Sequence, residues 1–258
     1  MKRILTSVLL VPAVCWVIIA APYALFWGVV LLLGVLCYRE YLRLAAGHGY
    51  LTMPVAGYTA GVLLLAPLPT PAAAQLPLIF AVAALALALR TEDLKRALGS
   101  AGAFVLGVLY VFGAWASALS LRQASAHWLL FAVAINWVGD VSAFYAGRAF
   151  GKHKLAPVIS PGKSWEGAVA SMVGALVFAV FYLGWALPEI PLWQRLLLGA
   201  AGNVAGQVGD LAESALKRGA GVKDSGTMLP GHGGWLDRLD SSLFSMPVVA
   251  ALKSLLMP

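Results

Sequence analysis

EGAVASMVGALVFAVFYLGWAL, residues 166–187, carries a single charged residue, at its first position. A helix of this length rises about 33 Å at 1.5 Å per residue, enough to cross the ~30 Å hydrocarbon layer of a bilayer. The stretch reads as a transmembrane helix. Apolar runs of the same kind recur at 4–21, 23–38, 53–68, 76–90, 103–121, 127–149, 192–216 and 242–256. Of the 258 residues, 61% are hydrophobic and 11% charged, where a soluble domain has about 25% charged. The expected fold class is all-α: a polytopic integral membrane helical bundle of about nine transmembrane helices. It divides into N-terminal transmembrane helices, residues 1–125, and a region 126–258 that carries two polar loops, 150–165 and 217–241.

Loop charge sets the orientation, because short cytoplasmic loops collect Lys and Arg. With the N-terminus cytoplasmic, one face receives Lys2, Arg3, Arg39, Arg43, Arg90, Lys95, Arg96, Arg148, Lys152, Lys154, Lys163, Lys217, Arg218, Lys223 and Arg238. The other receives Arg122, Arg195 and Lys253, a division of 15 to 3 among the 18 basic residues. Both polar loops then lie on the cytoplasmic face. Met1-Lys2-Arg3 before an apolar run resembles a signal peptide, but the run is long and Pro22 follows Ala21, so an uncleaved first span is expected. Cys15 and Cys37 stand inside apolar runs and are expected to pack rather than ligate. The net charge of +7 reads as topology, with attraction to anionic lipid secondary. Without a soluble basic domain, no nucleic-acid partner is expected. Gly57xxxGly61 and Gly202xxxGly206 are small-xxx-small patterns that suit close helix contacts.

The polar residues are unevenly placed. Asp140, Glu166, Asp210, Glu213, Asp224, Asp237 and Asp240 are seven of the chain's 11 acids, all within residues 136–241. Carboxylates near hydrocarbon cost about 2.5–3.5 kcal/mol each on insertion scales and need compensation. Asp210 and Glu213 share a helix face with Ser214 and Lys217; Asp237 and Asp240 repeat the i, i+3 spacing. Such pairs can converge on a hard cation such as Mg²⁺, or they can neutralise Lys217, Arg218 and Arg238 in interfacial ion pairs. Between them, Lys217-Arg218-Gly219 through Gly231-His232-Gly233-Gly234 combines Gly with Lys and His, as a phosphate-binding loop would. Gly162-Lys163-Ser164 resembles the end of a P-loop, but Pro157 stands where the first Gly of that motif belongs, so it is rejected. Asn136 and Asp140 share a helix face, either extending the site or pairing with Arg148. No second His stands at zinc-ligand spacing.

Ser214-Ala-Leu-Lys217-Arg218, then Lys223-Asp224, then Leu229-Pro230-Gly231-His232-Gly233-Gly234-Trp-Leu-Asp237-Arg238-Leu-Asp240 resembles the signature of the phosphatidate cytidylyltransferase (CDP-diacylglycerol synthase) family. Asp140, Phe150-Gly151-Lys152 and Ser160-Pro161-x-Lys163-x-Trp165-Glu166-Gly167 extend the similarity over roughly residues 136–245. Family members commonly read Ser-Pro-Lys-Lys-Thr where this chain has Ser160-Pro161-Gly162-Lys163-Ser164, so one lysine is missing here. The resemblance implies a nucleotidyltransferase of phospholipid biosynthesis that joins CTP to phosphatidate, releasing pyrophosphate. It implies Asp210, Lys217, Asp237, Asp240 and His232 as catalytic residues. Asp210, Asp237, Asp240 and Glu213 would hold Mg²⁺, with a second cation, K⁺ among the candidates. Ser160, Lys163, Trp165, Glu166, Ser214, Arg218, Lys223, Asp224 and Arg238 would bind substrate. A bacterial inner-membrane location, an active site facing the cytoplasm and a homodimer are further implications. The nearest competing reading is a CTP-dependent enzyme acting on another lipid, an isoprenoid-ether lipid or a polyprenol. A cation-coupled transporter would instead place its carboxylates near the bilayer midplane.

Overall fold

The structure, a computed structural model, describes residues 2–91, 93–228 and 233–257, with side chains from residue 11 onward. All nine apolar runs are helical. In chain order they are α1 (Lys2–Ile19), α2 (Tyr23–Gly47), α3 (Pro54–Leu65), α4 (Thr70–Ala88), α5 (Ala97–Gly107) continuing through a π-helical turn (Val108–Gly113) into α6 (Ala114–Ala124), α7 (Ala126–Phe150), α8 (Trp165–Ala186), α9 (Leu192–Gly219) and α10 (Leu236–Leu256). Among the described residues six helical segments are long and apolar enough to cross a membrane: α2, α4, Leu94–Ala124, α7, α8 and α10. The apolar α3 is shorter, and α9 carries Asp210, Glu213, Lys217 and Arg218 in its C-terminal turns. Cys15 and Cys37 are both free, and Cys37 is buried.

The expected loop at 150–165 is a β-hairpin. Strand β1 (Lys154–Ala156) pairs antiparallel with β2 (Ser160–Ser164), with Lys154 opposite Ser164 and Ala156 opposite Ser160. The Trp165 N–H donates to His153 O at 2.9 Å and closes its base. These strands are too short to show an alternating pattern, and Ser-Pro-Gly-Lys-Ser contains no strong strand former. Gly151 ends α7 where a Cβ would overlap the carbonyl of Gly147, so the chain can turn sharply into the hairpin. Ser164 caps α8, its hydroxyl accepting from Gly167 N–H at 3.2 Å.

The chain forms two compact units. The first contains Met1–Ala21, Ser120–Ala215 and Leu239–Pro258; the second contains Pro22–Leu119 and Leu216–Arg238. Helix α8 organises the first. It buries Gly167, Ser171, Ala175, Ala179 and Leu183 and exposes Trp165, Val169, Val173, Val177, Phe181 and Trp185, a repeat of four on both faces. Small residues on the buried face let α9 come close: a Cβ at Gly199 would lie 2.7 Å from that of Ala179. Asn203 donates to Ser171 Oγ at 2.9 Å across the same contact. Asn136 of α7 is buried and donates to Ser245 Oγ of α10 at 2.9 Å, so it ties helices together.

In the second unit, Tyr38, Tyr41 and Phe112 fill the spaces left by Gly57, Gly107 and Gly61 respectively. Both small-xxx-small patterns therefore mark helix contacts. Gly206 offers a test. A Cβ there would overlap Asn136 Oδ1, and Asn136 cannot rotate without losing its bond to Ser245. Gly206→Ala should destabilise the protein by about 1–3 kcal/mol, read as a lower melting temperature in detergent; an unchanged melting temperature would show that α7 and α9 can separate freely.

Candidate functional site

In the first unit, α7, the hairpin, α8, α9 and α10 surround a cavity of about 650 Å³, within the size range of small-molecule sites. Asp140 and Arg148 reach it from α7, Lys163 from β2, Gln207 and Asp210 from α9, and Ser241 from α10. Lys163 Nζ lies 2.7 Å from Asp210 Oδ2, with the two side chains 26% and 33% exposed. Ser214 Oγ donates to Asp210 Oδ1 at a long 3.5 Å. Gln207 is fixed by donating to Asn203 Oδ1 at 2.7 Å and Ala168 O at 3.3 Å. Two acids and two bases thus face one cavity. Arg148 and Lys163 can receive a phosphate, while Asp140 and Asp210 can receive a cation.

The rest of the hairpin has a different part. Glu166 accepts from the His153 N–H at 3.2 and 3.3 Å and lies 2.7 Å from His153 Nδ1. Its carboxylate is engaged in holding the hairpin base. Trp165 is exposed at the head of α8, where an interfacial anchor belongs, and Ser160 is half-buried on β2.

The second unit holds another charged cluster. Lys217 Nζ lies 2.5 Å from Asp237 Oδ1, with side chains 12% and 4% exposed. Asp237 Oδ2 accepts from Ser225 N–H at 2.9 Å, Ser225 Oγ at 2.9 Å and Gly234 N–H at 2.7 Å. This one carboxylate gathers the end of α9, the following loop and the start of α10. Gly233 has φ +77°, and a Cβ there would approach Asp237 Oδ2 to 2.6 Å. That position requires glycine for both conformation and space. Arg218 donates to Val222 O at 3.3 Å. Lys223, Asp224 and Arg238 are exposed.

Of the remaining expected residues, Glu213 is fully buried on α9, and Asp240 lies in the first turns of α10 with its Oδ1 accepting from Ser241 N–H at 2.7 Å. His232 lies outside the described residues. Among the described residues, no group of three or more His, Cys, Asp and Glu side chains is gathered closely enough to hold a metal ion.

Sequence reasoning passed over Glu40, a fully buried carboxylate in α2. Its Oε2 accepts from Ser225 Oγ at 2.9 Å and Leu236 N–H at 2.8 Å, and its Oε1 accepts from Trp235 N–H at 3.1 Å. The available signal was its position, an acid at the end of an apolar run.

Comparison with known proteins extends over nearly the whole chain. The family described as "Cytidylyltransferase family" matches residues 1–256. A Pseudomonas aeruginosa protein named phosphatidate cytidylyltransferase is 37% identical over 262 aligned positions, covering 97% of this chain and 96% of that protein. Proteins of the same name from Staphylococcus saprophyticus and Bacillus subtilis are 41% and 42% identical over 57% and 60% of this chain. Those two matches span 54% and 58% of the relatives' own length, little more than half.

Proposed function

We propose, because this chain belongs to the cytidylyltransferase family, that it transfers the cytidylyl group of CTP to phosphatidate, giving CDP-diacylglycerol and pyrophosphate. An oxygen of the lipid phosphate bonds to the α-phosphorus of CTP. The bond from that phosphorus to the bridging oxygen breaks, and its electron pair leaves with pyrophosphate. The lipid is itself the nucleophile, so the protein's task is to bring two anions together in line and offset their repulsion. The observation that carries this reading is the Lys163–Asp210 pair, brought by the hairpin and α9 into a cavity that the membrane-length helices α7, α8 and α10 also line. A lipid phosphate and a water-borne nucleotide can both reach such a place.

In this reading Lys163 and Arg148 hold the lipid phosphate, and Ser160, on the same strand as Lys163, is a further proposed contact. Lys217, Arg218, Lys223 and Arg238 hold the CTP polyphosphate; Ser214 and Asp224 are proposed substrate contacts, and His232, proposed as catalytic, lies outside the described residues. Magnesium is the proposed cofactor, with a second cation such as K⁺. The donor chemistry fits at Asp210, a hard carboxylate that faces the cavity together with Asp140, where a cation would displace the Lys163 ammonium. At Asp237 the fit is conditional: Oδ1 would take a cation only in exchange for the Lys217 ammonium. Bound there, Mg²⁺ would neutralise phosphate charge as bonds form and break. Glu213 and Asp240 are the further proposed ligands.

The chain is an integral membrane protein of helices. Nine crossings with a cytoplasmic N-terminus, a site facing the cytoplasm of the bacterial inner membrane and a homodimer remain part of the proposal, supported by the charge division between loops. The deciding assay supplies the purified chain with labelled CTP, Mg²⁺ and one acceptor at a time: phosphatidate, a polyprenol, or an unsaturated ether-linked lipid phosphate. CDP-diacylglycerol should form from phosphatidate. Its absence, with another acceptor consumed, would reassign the substrate.

A further inference from the structure

One fully buried acid in the chain is not used by the proposed reaction. Glu40 lies in α2, far in sequence from the 223–241 segment, and its side chain is fully buried. Three polar groups of that segment contact it: the N–H groups of Trp235 and Leu236, and the Ser225 hydroxyl, whose single proton is shared between Glu40 and Asp237. The two N–H groups open α10, where helix geometry leaves donors unsatisfied and the dipole favours an anion. Glu40 therefore caps α10 from another helix.

The packing around it is equally specific. A Cβ at Gly226 would lie 2.5 Å from Glu40 Oε1, and at Gly234 it would overlap Oε2. Two glycines of the segment are thus small because this carboxylate occupies the space beside them. Ser225 joins Glu40 to the charged cluster: its Oγ lies 2.9 Å from Glu40 Oε2 and 2.9 Å from Asp237 Oδ2. Asp237 in turn holds Lys217. A chain of direct contacts runs from Glu40 through Ser225 and Asp237 to Lys217.

We propose that Glu40 is a positioning residue that holds Ser225 and the start of α10, and with them the Lys217–Asp237 pair, in the arrangement that receives the nucleotide polyphosphate. The nucleotide assignment rests on the proposed function; the positioning of the segment does not. An apolar residue could fill the same volume but could not satisfy three donors, and burying those donors unpaired is costly.

The test is Glu40→Gln in the full-length protein in lipid nanodiscs. Hydrogen–deuterium exchange should quicken in peptides covering 224–237 and stay unchanged in α8. The kcat/KM for CTP should fall on the order of 10- to 100-fold, while the KM for phosphatidate stays within about twofold of wild type. If Glu40→Gln does not fold, Ser225→Ala, which removes one donor of the chain, should reproduce the same selective loss. Wild-type exchange and wild-type CTP kinetics would overturn the proposal. So would an equal loss against both substrates with faster exchange everywhere, which marks general destabilisation. A wild-type protein that makes no CDP-diacylglycerol would sink the proposed function, whereas the exchange measurement would still decide the role of Glu40.

Discussion

Asp237→Asn should reduce turnover by on the order of 10²- to 10⁴-fold and destabilise the protein by about 3–5 kcal/mol, the usual cost of removing one partner from a buried ion pair. The side chain is 4% exposed and accepts from four donors, one of them the Lys217 ammonium at 2.5 Å. Asparagine keeps the volume, yet its NH₂ cannot accept and, being neutral, it leaves the Lys217 charge unbalanced. A second variant separates folding from chemistry. Asp237→Leu combined with Lys217→Met removes both charges, a replacement that is often neutral or stabilising. It should restore the melting temperature without restoring turnover. Recovered turnover in the double variant would mean that the pair only supports the fold, and wild-type turnover in Asp237→Asn would remove Asp237 from the site.

Asp210→Asn should behave differently. The Lys163–Asp210 pair is partly exposed within the cavity, and pairs of that kind contribute about 0–1 kcal/mol to stability. The melting temperature should scarcely move. Turnover should nevertheless fall on the order of 10²- to 10³-fold, because the carboxylate is proposed to hold the cation that offsets transition-state charge, an effect of several kcal/mol. Residual activity should also need more Mg²⁺ for half-saturation. An Asp210→Asn enzyme with wild-type rate and wild-type Mg²⁺ dependence would exclude a cation at this position.

The two variants differ because partners differ, and the sequence showed the carboxylates more clearly than their partners. Spacing placed Asp210 beside Glu213 and Asp237 beside Asp240 on their helices, which local geometry guarantees. It left open whether the acids meet a metal or the neighbouring bases. Asp237 meets Lys217, one of the bases considered, but Asp210 meets Lys163 on the hairpin, 47 positions earlier. Apolar runs were legible because crossing a bilayer demands a length no other element shares. The hairpin at 154–164 was not, being short and poor in strand formers. Glu40 was marked only by its position at the end of an apolar run: its partners lie 185 to 196 residues away, and no local pattern encodes a contact made at that separation.

Helix α8 has Trp165 at one end of its exposed stripe and Trp185 at the other. Twenty residues of α-helix separate their backbones by about 30 Å, the thickness of a hydrocarbon core, and indole rings prefer the headgroup level at each side. The helix is in effect a gauge with two marks. In a thicker bilayer both marks cannot sit at their preferred depth at once, and the helix must straighten or the lipid must thin around it. Trp165 stands two residues after Lys163, so the depth of the first mark and the depth of the lysine in the cavity are set together. The thickness of the surrounding bilayer thereby bears on the depth at which the hairpin lysine sits.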